Sequence, residues 1–269
     1  MREKIKGEGF ILNYNVEEDP PATSLNVSHC HDDYEILFII SGEGRYLLEG
    51  TAFTILPGSL IFIKPFEYHC VAIDKDVTYE RYVINFSRSA LTPEVADVLD
   101  AFLQDGAIGG RVYSSSHLSE TLQSIFSRFS VASSIAEKDR KERDLYLKLV
   151  LSELVLLLTV SKCEAFATNE EELGARVIKY LNENISRNLS LDHLAKRFFV
   201  SKYYLCRAFK NHNGISVHGY INQKRVMYAK QLIDSGVNAS SAAYKVGFGD
   251  YSSFYRACVK IIGKSPTAD

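Results

Sequence analysis

The sequence predicts an α+β protein of two domains: an N-terminal antiparallel β-barrel extended by helices, then an all-α domain. Length is the first reason, because 269 residues suit two ordinary domains. The second is a change of periodicity after Ser89, from short β-type runs to helical spacing. The third is a pattern that occurs twice near the C-terminus, 49 residues apart.

Residues 8–87 read as short strands. YEILFII (34–40), GRYLLEG (44–50), TAFTIL (51–56), SLIFIK (59–64) and RYVINF (81–86) are apolar and rich in aromatic and β-branched residues. Glu49-Gly50 and Pro57-Gly58 are the sharpest turn signals between them. Several short strands at near-regular spacing point to a small barrel or sandwich.

Pro93 can open a helix, and residues 118–129 carry apolar positions at helical spacing. The strongest helix is predicted over 139–161, where Leu147, Leu151, Leu154 and Leu158 alternate by four and three. Leu149, Val150, Val155, Leu156 and Leu157 widen that stripe, so the helix is expected to bury two sides. One side would pack on its own barrel and one on a partner chain, giving a homodimer; a core helix within a monomer is the alternative. Residues 163–172 lose periodicity and end in an acidic run, which predicts a linker. Helices are expected beyond it over 173–183, 190–198, 201–212, 216–235, 239–246 and 251–262. The predicted organisation is thus a barrel over 1–90, a helical dimerisation extension over 91–162, the linker, and a helical domain over 173–269.

A hydrophobic content of 46% and a charged content of 24% are those of a globular protein. The most apolar run, 154–160, is far shorter than the roughly 20 residues that span a bilayer, so no membrane partner is expected. The N-terminal residues lack the apolar core of a secretory signal. The five cysteines include no C-x-x-C pair, which points to reduced thiols and a cytoplasmic location. Charge is uneven: residues 170–269 hold 15 basic and 8 acidic side chains, a net of +7, against 16 and 25 in residues 1–169, a net of −9. A basic last third on an acidic body suits a module that binds a polyanion.

In the first copy of the repeat, Leu191, Leu194 and Ala195 lead through Phe199-Val200 to Ser201 and SKYYLCRAFKNHNGIS. In the second, Ala242 and Ala243 lead through Val246-Gly247-Phe248 to Asp250 and DYSSFYRACVKIIGKS. Short helix, tight turn and second helix make a helix-turn-helix layout, with Ser201 and Asp250 suited to cap the second helices. Leu205 and Phe209 point inward, leaving Lys202, Tyr203, Cys206, Arg207 and Lys210 outward. The outward set of the second copy is Tyr251, Ser252, Tyr255, Arg256 and Lys260. Such faces can enter the major groove of double-stranded DNA, with Arg reaching guanine edges and Lys or Tyr reaching phosphates.

At residues 173–266 the sequence resembles the AraC/XylS family of bacterial transcription regulators. The marks are Leu191-x-x-Leu194-Ala195, Ser201-x-x-x-Leu205-x-Arg207-x-Phe209-Lys210, Gly214, Tyr220-Ile221, Arg225, Ala229, Leu232, Gly247-Phe248-x-Asp250-x-Ser252-x-Phe254-x-Arg256 and Gly263-x-Ser265-Pro266. The resemblance implies recognition helices in successive major grooves, a small-molecule effector and contact with RNA polymerase; activator is the expected class, with repression left open by the sequence. The chain departs from the family at the small Ala239 and Ala242 and at Cys258-Val259, where Phe-Lys is usual. It also stops at Asp269 before the usual Tyr-Arg, so a looser second unit is expected.

The N-terminal HCHDDYE (29–35) resembles the first motif of the cupins, the sensor domain common in that family. His29-x-His31-x-x-x-Glu35 and Gly42 fit it; Thr23 stands where its leading glycine is expected. The second motif keeps Gly58, Pro65 and His69 without the usual spacing, and Ile73 replaces its asparagine. Strand alternation puts His29 and His31 on one face. His29, His31, Glu35, Arg45 and His69 are therefore the candidate pocket for a small polar effector such as a sugar, with Tyr46, Arg81 and Tyr82 as further lining. His29, His31, Glu35 and His69 could instead hold a divalent metal, though no cofactor is expected. No catalytic residue is assigned. Two alternatives stay open: a metal-dependent cupin enzyme with an accessory DNA-binding module, and a constitutive DNA binder whose barrel only dimerises.

Overall fold

A computed structural model of the chain describes residues 2–20, 28–105, 111–113, 119–132, 135, 139–161, 167–168 and 172–267. Thr23, Leu118 and Cys163 lie outside the described residues. The chain folds into two compact units, Met1–Asn169 and Glu170–Asp269.

Unit one holds the strands β1 (Arg2–Gly7), β2 (Phe10–Glu18), β3 (Tyr34–Ser41), β4 (Gly44–Leu48), β5 (Thr51–Ile55), β6 (Leu60–Ile63), β7 (His69–Ile73), β8 (Thr78–Phe86), β9 (Val112–Tyr113) and β10 (Ala167–Thr168). They form two antiparallel sheets, ordered β1-β2-β8-β3-β6-β9 and β10-β5-β4-β7. The strongest turn signals hold. Glu49 and Gly50 both take positive φ, 48° and 79°, the two-residue geometry that suits the right-handed twist of a hairpin. The expected linker is shorter than its composition suggests, because Ala167 and Thr168 pair with Phe53 and Ala52 and extend the smaller sheet.

Alternation sorts the larger sheet into two buried faces. Leu37, Ile39, Ile61, Ile63 and Tyr79 meet Tyr46, Leu48, Phe53, Ile55 and Ile73 of the smaller sheet in one apolar layer. On the opposite face, Ile36, Phe38, Phe62, Ile84 and Phe86 pack on the helices. These are α1 (Pro93–Asp105), α2 (Ser119–Ala132) and α3 (Arg140–Val160). As expected, α3 buries Leu147, Leu151, Leu154 and Leu158 on this sheet. Its other side leaves Leu145, Leu149, Leu156 and Val160 exposed, so α3 is not a wholly internal core helix.

Unit two contains α4 (Leu173–Glu183), α5 (Leu191–Phe198), α6 (Lys202–Asn213), α7 (Val217–Asp234), α8 (Ala239–Lys245) and α9 (Tyr251–Ile262). Its starts are written locally: Ser190, Ser201, Ser216, Asn238 and Asp250 each accept a hydrogen bond from the backbone N–H three residues on. Gly214 and Gly263 close α6 and α9 in the left-handed conformation.

Candidate nucleic-acid interface and sensor site

Each copy of the repeat is a short helix, a tight turn and a longer capped helix. In the first, Leu194 and Ala195 of α5 and Leu205 and Phe209 of α6 are buried. That fixes which face α6 presents: Lys202, Tyr203, Arg207 and Lys210 are exposed, and Cys206 is half-buried. Lys202 Nζ also reaches Asp192 Oδ1 of α5 at 2.9 Å. In the second copy, Phe254, Ala257 and Cys258 are buried, while Tyr251, Ser252, Tyr255, Arg256 and Lys260 are exposed. The Arg256 guanidinium is oriented by its own helix cap. Its Nη2 donates to Ser253 Oγ at 3.3 Å, and that hydroxyl donates to Asp250 Oδ2 at 2.8 Å. Sequence reasoning passed over Tyr204 and Phe199, both exposed beside this face. Phe199 adopts φ 56°, the position taken by Gly247 (φ 98°) in the second copy.

Arg225 ties α7 to the connection between α4 and α5. From the middle of α7 its Nε donates to the Ile185 carbonyl at 2.9 Å and its Nη2 to that of Arg187 at 2.6 Å. Gly247 lies against the same guanidinium, and a Cβ there would stand 2.8 Å from the Ser186 carbonyl oxygen. A cavity of about 30 Å³ lies beside Cys258, Phe254, Val226 and Ile262. Cys258 itself is buried among Val226, Ala243 and Phe254, and burial pushes its thiol up to about 11.

In unit one the structure gathers the histidines. His29 and His69 exchange backbone hydrogen bonds of 3.1 and 3.0 Å, which brings the HCHDDYE segment to the start of β7. Their rings lie 4.3 Å apart, with His31 5.1 Å from His69. Glu35, at the start of β3, completes the group. Its Oε2 is 3.0 Å from His31 Nε2 and its Oε1 is 3.8 Å from His69 Nε2. Asn85 of β8 donates to Glu35 Oε2 at 2.8 Å. The ring Nδ1 atoms are fixed by carbonyl oxygens: His31 donates to Asp33 at 3.0 Å and His69 to Glu67 at 2.9 Å. Burial alone would raise the Glu35 carboxyl, but the hydrogen bond from His31, the charges of both histidines and Asn85 hold it below its ordinary value. Burial works against His31 too, and the Glu35 carboxylate outweighs it and raises His31. Burial lowers His69.

Two expected lining residues are placed elsewhere. Arg45 is exposed, on the face of β4 opposite the buried Tyr46, because neighbours on a strand cannot share a face. Tyr82 stacks on Phe126 of α2, 4.6 Å between centroids, and so belongs to the helix-covered face. Tyr46 and Arg81 do lie on the inner side. The Tyr46 ring stacks on His69 at 6.2 Å, its hydroxyl buried and lacking a hydrogen-bond partner among the described residues, and Arg81 donates to Glu17 at 2.7 Å above the Tyr79 ring. Sequence reasoning missed Asn85, Glu67 and Arg111. Arg111 is fully buried and binds the Glu67 carboxylate with both terminal nitrogens, at 2.6 and 2.7 Å.

A family model described as an AraC-like ligand binding domain matches residues 17–155, and one described as a helix-turn-helix domain matches 194–268. The HTH-type transcriptional regulator YbfI of Bacillus subtilis (strain 168) is 26% identical over 235 residues, covering 84% of this chain and 80% of its own length. The HTH-type transcriptional activator RhaS of Salmonella schwarzengrund is 25% identical over 234 residues, covering 84% and 81%. The C-terminal domain of AraT, a response regulator from Geobacillus stearothermophilus, is 27% identical, spanning 37% of this chain and 84% of that one with a TM-score of 0.35. The chain belongs to the AraC family of transcription regulators, with an N-terminal ligand-binding domain and a C-terminal helix-turn-helix domain.

Proposed function

We propose that α6 and α9 are the two recognition helices, each reading base edges in a major groove of double-stranded DNA. One observation carries this: both helices are capped and buried on one side, and both present an arginine among exposed polar side chains on the other. Arg207 and Arg256 reach guanine edges, while Lys202, Tyr203, Lys210, Tyr251, Ser252, Tyr255 and Lys260 supply phosphate and further base contacts and Cys206 lies at the margin. The two sheets are read as a cupin-like sensor barrel built chiefly from residues 1–90 and joined by β9 and β10, with a pairing region within 91–162 and a linker beyond Thr168. A small polar effector would bind between the sheets, against His29, His31, Glu35, His69, Tyr46, Asn85 and Arg81. It can shift DNA binding only by differing in affinity between two arrangements of the protein.

The exposed apolar stripe of α3 supports a homodimer through that helix. Relatives named as regulators and an activator support binding rather than turnover. The reading includes RNA polymerase as a further partner and a cytoplasmic location. The test is selection of fragmented genomic DNA on the purified chain, followed by sequencing. A shared site with two separated elements supports the reading, and recovery no different from random fragments would defeat it.

A further inference from the structure

We propose that Phe199, in the turn of the first helix-turn-helix copy, is a further DNA-contacting residue whose ring lies on an apolar part of the duplex beside α6. The inference rests on the reading of α6 as a recognition helix. The turns of the two copies are closed alike. The N–H of Val200 donates to the Ala195 carbonyl at 3.1 Å, and that of Phe248 to the Ala243 carbonyl at 3.0 Å. This closure puts one residue in the left-handed conformation, Phe199 (φ 56°) in the first copy and Gly247 (φ 98°) in the second. Glycine enters that region freely, whereas the Cβ of a phenylalanine crowds the backbone there.

Packing does not offset that strain, because Phe199 is 93% exposed. A strained residue that the fold does not use for packing points to function. Its surroundings select the partner. Lys196, Arg197 and Lys202 flank the turn and are exposed, and no acidic residue occurs between Asp192 and Asp234. An apolar ring framed by cations suits a polyanion that carries apolar patches. Duplex DNA offers two kinds of patch, the faces of its deoxyriboses and the thymine methyl groups of the major groove. Phe199 stands two residues before Ser201, the cap of α6, so seating the start of α6 in the groove brings the ring to the groove's margin.

The experiment compares the full chain with Phe199→Gly and Phe199→Tyr on the selected DNA site, by fluorescence anisotropy at two salt concentrations, with a thermal melt of each protein. Relief of the turn offsets glycine's added freedom in the unfolded chain, so Phe199→Gly should melt no lower than the parent. It should nevertheless bind the site about five- to tenfold more weakly. That factor should be the same at both salt concentrations, because an apolar contact releases no counterions. Phe199→Tyr keeps the ring and should bind as the parent does. A site with deoxyuridine for thymine separates the two patches. Weaker binding by the parent but not by Phe199→Gly assigns the ring to a methyl group, and unchanged binding by the parent assigns it to deoxyribose. Undiminished affinity of Phe199→Gly overturns the proposal and leaves the ring to a protein partner. Weaker binding accompanied by a lower melting point overturns it too, since the ring would then serve the fold. A parent that selects no site refutes the recognition-helix reading itself, which Phe199→Gly alone cannot do.

Discussion

Removing Arg111 should be among the most damaging single changes in the sensor unit. Its guanidinium is 0% exposed and sits bidentate on Glu67, with a further bond from Nη1 to the Phe62 carbonyl at 3.3 Å. The same Glu67 carboxylate accepts the Lys64 N–H at 2.8 Å, and the Glu67 carbonyl orients His69. Arg111→Met keeps the apolar volume but removes the bidentate partner of the buried Glu67 carboxylate, leaving the partly exposed Lys64 Nζ, 3.8 Å from Oε1, as its nearby cation. Breaking a buried pair in this way costs about 3–5 kcal/mol. For a unit of this size that lowers the melting midpoint by roughly 6–20 °C. The double variant Arg111→Met/Glu67→Leu removes the stranded charge, so it should recover at least half of the loss, although each change alone destabilises. Differential scanning calorimetry of the four proteins checks both statements. A single variant within about 1 kcal/mol of the parent, or a double variant worse than the sum of the singles, would mean that water already solvates the pair.

Three further outcomes are expected. Leu149 and Leu156 are 52% and 41% exposed on α3, and burying half a leucine is worth about 1 kcal/mol. Twofold symmetry counts each side chain twice, so Leu149→Ala/Leu156→Ala should raise the dimer dissociation constant by more than about 100-fold in sedimentation equilibrium; an unchanged constant would remove α3 from the interface. Ser201→Ala should cost about 1 kcal/mol by loss of the cap of α6, and urea denaturation checks it. The Asp250 carboxyl is held below its ordinary value by the backbone N–H and hydroxyl of Ser253, so its cap is intact above the ordinary carboxylate range and lost as pH falls through the lowered value. Thermal melts of the parent should therefore fall with acid more steeply than those of Asp250→Asn, and parallel curves would contradict this.

Features written in consecutive residues were legible in advance. Helix caps are local chemistry, and the predicted spans 173–183 and 251–262 coincide with α4 and α9. The repeat fixed the exposed faces of α6 and α9 because burial of Leu205, Phe209 and Phe254 leaves each helix one outward side. Strands β3 to β6 and β8 announce themselves by apolar, branched residues, whereas β1, REKIKG, is masked by its charges. Pocket membership was harder, because it depends on strand parity and on pairing across the sheets. Arg45 and Tyr46 are equally polar-tipped, and one residue of register decides which of them faces inward. Asn85 meets Glu35 and Arg111 meets Glu67 across 50 and 44 residues of chain, and no local spacing announces such pairs.

The central claim is that two helices of one chain read DNA sequence. Its most direct measurement is the affinity of Arg207→Ala, Arg256→Ala and the double variant for the selected site and for random duplex, by fluorescence anisotropy at fixed salt. Each single change should weaken the selected site by about 1–3 kcal/mol, the double by about their sum, and random DNA much less. Equal losses on both duplexes would reduce the arginines to phosphate contacts. A silent Arg256→Ala would leave α6 as the sole reader.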